Sequence, residues 1–101
     1  MAVSAEQYID GDENFIKAVV YNRFSYDSPA TLEVYNRNTN EVYFTQNIPF
    51  VSKNTPVTIT VPLDKSYVDD TGFVSVRVIS KANDYNDFNN TYMFEYYNMD
   101  I

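Results

Sequence analysis

Apolar and polar residues alternate without a break through Val57-Thr58-Ile59-Thr60-Val61, with Pro56 before the run and Pro62 after it. A strand buried on one face requires this period of two, because successive side chains point to opposite sides of a sheet. The pattern recurs along the chain. Ile16, Ala18 and Val20 share one face, with Lys17 on a face that meets water; Leu32 and Val34 turn inward and Glu33 outward; Val74, Val76 and Val78 face one way, Ser75 and Arg77 the other. Almost nothing in the chain carries helical period, so the alternation specifies an all-β domain.

Turn residues separate these runs. Asp10-Gly11-Asp12-Glu13-Asn14 lies between strands at 3–9 and 15–22, and a loop over 23–30 containing Ser28-Pro29 precedes a strand at 31–35. Asn36-Arg37-Asn38-Thr39-Asn40 offers three asparagines suited to positive φ, which predicts a hairpin to a strand at 41–46. Pro49 then interrupts, and Ser52-Lys53-Asn54 turns the chain into the strand over 56–62. An acidic loop over 63–72 leads to the strand at 73–80. After the Asn/Asp-rich loop at 83–90, the last strand alternates Tyr92, Phe94 and Tyr96 with Met93, Glu95 and Tyr97. About seven short strands with polar turns every 8 to 12 residues predict one immunoglobulin-like antiparallel β-sandwich spanning residues 1–101. A parallel sheet would need crossover helices. At 101 residues such a domain buries roughly 60 to 70% of its unfolded surface and needs no staple.

Three segments, in the right order, resemble the bacterial and archaeal immunoglobulin-like domains called CARDB, the cell-adhesion-related domain. Ala18-Val19-Val20-Tyr21-Asn22 running into Ser25-Tyr26-Asp27-Ser28-Pro29-Ala30 is similar to that family's strand ending in Asn before a short polar loop. Asn54-Thr55-Pro56 followed by Val57 to Val61 resembles its central threonine-rich strand, and Asp87-Phe88-Asn89-Asn90-Thr91 its acidic turn before the final strand. The Gly that commonly follows the first Asn is missing, with Phe24 in that neighbourhood. The resemblance implies a sandwich and a non-catalytic role, and no particular ligand.

Composition narrows the chemistry. The chain has no His, no Cys and no Trp, and its two glycines form no phosphate loop. A nucleophile and base would have to come from Ser, Lys, Tyr and carboxylates, and Ser52-Lys53 and Lys65-Ser66 are adjacent pairs in predicted loops rather than spaced partners. The expectation is that the protein is not an enzyme and uses no cofactor. Its net charge of −7 repels phosphate backbones and anionic lipid, so nucleic acid is not an expected partner. No apolar stretch approaches the ~20 residues of a membrane span, so no membrane insertion is expected. Met1-Ala2-Val3-Ser4-Ala5-Glu6 has neither the basic nor the apolar region of a secretory signal. The absence of Cys leaves the redox compartment open.

Two loop regions offer ligand chemistry. Asp10, Asp12 and Glu13 would share one end of a sandwich with Asp64, Asp69 and Asp70, and calcium collects oxygens from such groups. Acidic turns are usually only turns, so no metal site is expected. Tyr85 and Phe88 occupy the loop at the opposite end, where Tyr85 could contact a protein or a sugar while Phe88 folds back onto the core; without Trp, carbohydrate is not the favoured ligand. Asn89-Asn90-Thr91 fits a glycosylation acceptor, relevant only to a secreted protein. The expected docking surface is the exposed side of the last strand, Met93, Glu95 and Tyr97, with Tyr85 as a further contact, because apolar residues there exceed what a wet face requires.

These readings converge on a structural or accessory protein that docks on a protein scaffold or on neighbouring subunits, such as a capsid-decorating protein on a virion surface. The alternative is an adhesion or binding module of a secreted bacterial or archaeal surface protein.

Overall fold

The computed structural model describes residues 1–80 and 90–98. Seven strands form among them: β1 (Ala2–Asp10), β2 (Glu13–Tyr21), β3 (Ser28–Tyr35), β4 (Val42–Val51), β5 (Val57–Pro62), β6 (Phe73–Ile79) and β7 (Thr91–Glu95). One sheet has the order β1-β2-β5 and the other β4-β3-β6-β7, every pairing antiparallel. The protein is an immunoglobulin-like sandwich of three strands against four, with the fourth strand beside the third.

The alternating runs place their apolar residues as their period requires. Ile16, Ala18, Val20 and Val61 on the three-stranded sheet meet Leu32, Val34, Ile48, Val74, Val76 and Val78 on the four-stranded one. Lys17 is exposed on the outer face, as predicted. Between Asp10 and Glu13, which pair across the first hairpin, the two-residue loop Gly11-Asp12 turns the chain. Gly11 takes φ +63° and Asp12 does not share a positive φ, the pattern of a type II′ turn. The 36–40 hairpin also forms: Asn40 has φ +63°, and Asn36 Oδ1 accepts from the N–H groups of Asn38 and Thr39 at 2.8 and 3.1 Å.

Besides shifts of one or two residues elsewhere, such as β2 beginning at Glu13 rather than 15, three boundaries differ from the sequence reading. β4 runs through Pro49 to Val51 because it is an edge strand and the proline lies at a register shift between Ser28 and Ala30, where a missing N–H breaks no ladder bond. The same pairing recruits Ser28 and Pro29 into β3. β7 stops at Glu95 rather than continuing to Tyr97. Its partner strand β6 begins at Phe73, and Gly72, at φ +90°, turns away after accepting one last bond from the Tyr96 N–H at 2.9 Å.

On one side of the sandwich β1 and β7 close together. The Gln7 side chain bridges them, accepting from the Tyr97 N–H at 2.7 Å and donating to the Tyr97 carbonyl at 2.8 Å. The chain crosses from β5 to β6 through a single 3-10 turn, Lys65–Tyr67, capped by the Asp64 side chain.

Candidate docking surface

Strand parity determines what the outer face of the four-stranded sheet presents. Tyr35, Ser75 and Met93 form one cross-strand row, Glu33, Arg77 and Thr91 a second, and Phe73 with Glu95 a third. Ser75 and Arg77 do face away from the core. They do not face bulk water, however: Ser75 is 2% exposed and Arg77 half-buried, because the hairpin loop after β3 folds over them.

Two arginines are held there, Arg77 of β6 and Arg37 of the covering loop. Arg77 Nε donates to Glu33 Oε1 at 2.7 Å and Nη1 to Asn40 Oδ1 at 2.7 Å, while the guanidinium lies 4.3 Å from the centroid of the Tyr35 ring. Arg37 comes from the loop and lies 5.2 Å from the Phe73 ring centroid. It donates from Nε to Asp69 Oδ2 at 3.3 Å, from Nη2 to Thr71 Oγ1 at 3.0 Å, and from Nη1 to Met93 Sδ at 3.1 Å. Stacking on an aromatic face adds a cation–π attraction to each of these contacts. Each guanidinium is thus matched by one carboxylate, and both are locked in place.

Asp69 is the anchor under Arg37. Its Oδ1 accepts from the Thr71 hydroxyl at 2.6 Å, the Thr71 N–H at 2.9 Å and the Phe73 N–H at 3.1 Å. Burial works to raise its carboxyl, but the Thr71 hydroxyl, the Phe73 and Thr71 amides and the Arg37 guanidinium outweigh it and lower the pKa to about 2. Asp69 is therefore a structural carboxylate rather than one of a solvated group.

The two acidic loops do share an end of the sandwich, where the Leu63 N–H donates to the Asn14 carbonyl at 3.0 Å, but their acids do not gather into one group. Asp10, Asp12 and Glu13 occupy the tip of a tight hairpin; Asp64 accepts from the Ser66 N–H at 2.9 Å, Asp69 is committed to Arg37, and Asp70 accepts from Asn38 Nδ2 at 3.1 Å. Among the described residues no group of three or more His, Cys, Asp or Glu is placed to hold a metal ion.

Beside Arg37 lies an open cleft of about 420 Å³, lined by Tyr35, Arg37, Ser75, Thr91, Tyr92 and Met93. The Ser75 hydroxyl at this cleft is buried and makes no hydrogen bond. A buried hydroxyl without a partner is unfavourable by roughly 1–3 kcal/mol.

Of the residues expected to dock a partner, Met93 and Glu95 share this face and are exposed, Met93 by 46%. Tyr97 is 65% exposed but lies past the end of β7, held by Gln7 beside β1, so it borders the surface rather than standing in the same row. Tyr85 and Phe88 lie outside the described residues. Sequence reasoning missed Tyr35, Phe73, Ser75 and Arg37. Outward parity in β3 and β6 marks the first three, whereas Arg37 belongs to a loop whose direction no periodicity reports.

Among the described residues no helix is long and apolar enough to cross a membrane. Comparison with known proteins finds no matching family model, no similar curated protein and no matching solved structure.

Proposed function

We propose that this protein is a non-catalytic docking module that attaches to a larger protein assembly through the outer face of its four-stranded sheet. The observation carrying this reading is the concentration of apolar area at the β7 side. Met93, 46% exposed, stands on that face; Tyr92, in the Val76 row but 43% exposed at the strand edge, and Tyr97, 65% exposed past the end of β7, border it, next to arginines already fixed by ion pairs and rings. Association of such a surface immobilises little that the fold has not already ordered, so less conformational entropy opposes binding. Met, Arg and aromatic residues are also the types enriched in interface cores.

A virion or another multi-subunit scaffold is the preferred setting, with the CARDB-like reading, an adhesion module at a cell surface, as its rival. The test is co-sedimentation with the native particles or surface fraction of the source. Met93→Lys should fold normally and lose most of its attachment. Attachment equal to wild type would move the interface elsewhere, with the loop end bearing Tyr21, Tyr26 and Phe50 as the next candidate, since these are 42%, 51% and 59% exposed.

A further inference from the structure

The cleft over Ser75 contains a hydroxyl that the free protein leaves unpaired. Ser75 Oγ is buried, it stands in the row between Tyr35 and Met93, and no protein group completes it. The second incomplete group is Arg37. Its Nε and Nη2 have oxygen acceptors, but Nη1 is directed at the Met93 sulfur, and a thioether is a weak acceptor. Two donors short of an acceptor therefore line one cleft, and the Thr91 side chain lines it too.

We infer that this cleft receives a side-chain carboxylate, Asp or Glu, projecting from the docking partner, with Arg37 Nη1 and the Ser75 hydroxyl as its donors. The inference rests on the docking reading above and names the chemistry of its partner. A carboxylate fits because two oxygens can take two donors at once, and because its charge strengthens each bond relative to a neutral acceptor. A phosphate or sulfate group is disfavoured: the two guanidiniums are already matched by Asp69 and Glu33, and the chain carries a net −7, so a doubly charged group meets more repulsion than a single one. Binding replaces the Met93 sulfur by an oxygen at Arg37, which couples the cleft to the exposed methionine beside it.

Sodium acetate is the probe. Titration of the labelled protein, followed by NMR at the Arg37 Nε–H and the Met93 methyl, should show both signals moving together to saturation, with sodium chloride at equal ionic strength producing no such curve. Ser75→Ala should weaken acetate binding about ten-fold, the worth of one hydrogen bond to a charged group, while raising the melting temperature, because it removes an unpaired buried hydroxyl. Arg37→Gln should abolish saturation. In the attachment assay, Ser75→Ala should bind the native assembly about ten-fold more weakly although it is the more stable protein. Linear acetate shifts, or Ser75→Ala attaching as well as wild type while Met93→Lys does not, would overturn the carboxylate cleft and leave the docking surface standing. Saturable acetate binding with Met93→Lys attaching normally would overturn the docking reading and with it the partner as the carboxylate's source.

Discussion

Replacing Asp69 by Asn removes one charge from a buried position and leaves the shape nearly unchanged, so it isolates what that charge does. The Asp69 side chain is 2% exposed and its carboxyl is lowered from 3.8 to about 2. The fold therefore favours the ionised form over the unfolded chain, and the stabilisation is present in full above pH ~4 and disappears as pH falls towards 2. A depression of nearly two pH units corresponds to about 2 kcal/mol at pH 7. By the same relation about 1 kcal/mol remains at pH 3 and under about 0.5 at pH 2. Urea unfolding followed by tyrosine fluorescence is a suitable assay, since the chain has ten Tyr and no Trp. Wild type and Asp69→Asn should differ by about 2 kcal/mol at pH 7 and converge as the pH approaches 2. Asp64 is also lowered, by the Ser66 backbone N–H, but it is common to both proteins and cancels in the difference. A difference that stays constant from pH 7 to pH 2 would show that the carboxylate's charge is not what Thr71, Phe73 and Arg37 stabilise.

Other substitutions test the register and the cover of the sheet. Val76→Asp places an unpaired charge at a fully buried position and should cost about 4 kcal/mol or more, close to unfolding the domain. Arg77→Asp would leave Glu33 facing a second carboxylate and remove the stack on Tyr35, so its cost in urea unfolding should exceed about 1 kcal/mol, well above an ordinary surface change; a smaller cost would mean that loop 36–40 does not cover this face. Calcium and magnesium at equal millimolar concentration should shift the melting temperature equally, because Asp64, Asp69 and Asp70 are tied to separate partners and no three acids among the described residues are grouped to hold a metal; a calcium-selective rise abolished by Asp12→Asn with Asp70→Asn would contradict that.

The sandwich was legible because burial on one face imposes a period of two, and Ile16, Leu32, Val61 and Val76 all obey it. Parity also reported which way Ser75, Arg77, Met93 and Glu95 point. It could not report coverage. Ser75 and Arg77 read only as facing away from the valines, because nothing in a strand's own alternation says that a loop from the neighbouring hairpin will fold across it. Asp69 was misread for the same reason: in sequence it is one acid among several, and its burial arises from Arg37, 32 residues away along the chain. Pro49 misled locally, since a proline excludes a central strand but is tolerated at a bulged edge. The docking surface was half visible, Met93 and Glu95 through composition and parity, Arg37 and the cleft only through tertiary structure.

The docking claim is tested most directly by hydroxyl-radical footprinting of Met93 in the free protein and in the native assembly with which it co-sediments. Met93 is 46% exposed on the proposed surface, while Met1 is 1% exposed and serves as an internal reference for intact folding. Oxidation of Met93 should fall several-fold on assembly while Met1 stays unreactive in both states. Equal oxidation of Met93 free and assembled, or no assembly fraction that retains the protein, would contradict docking through this face.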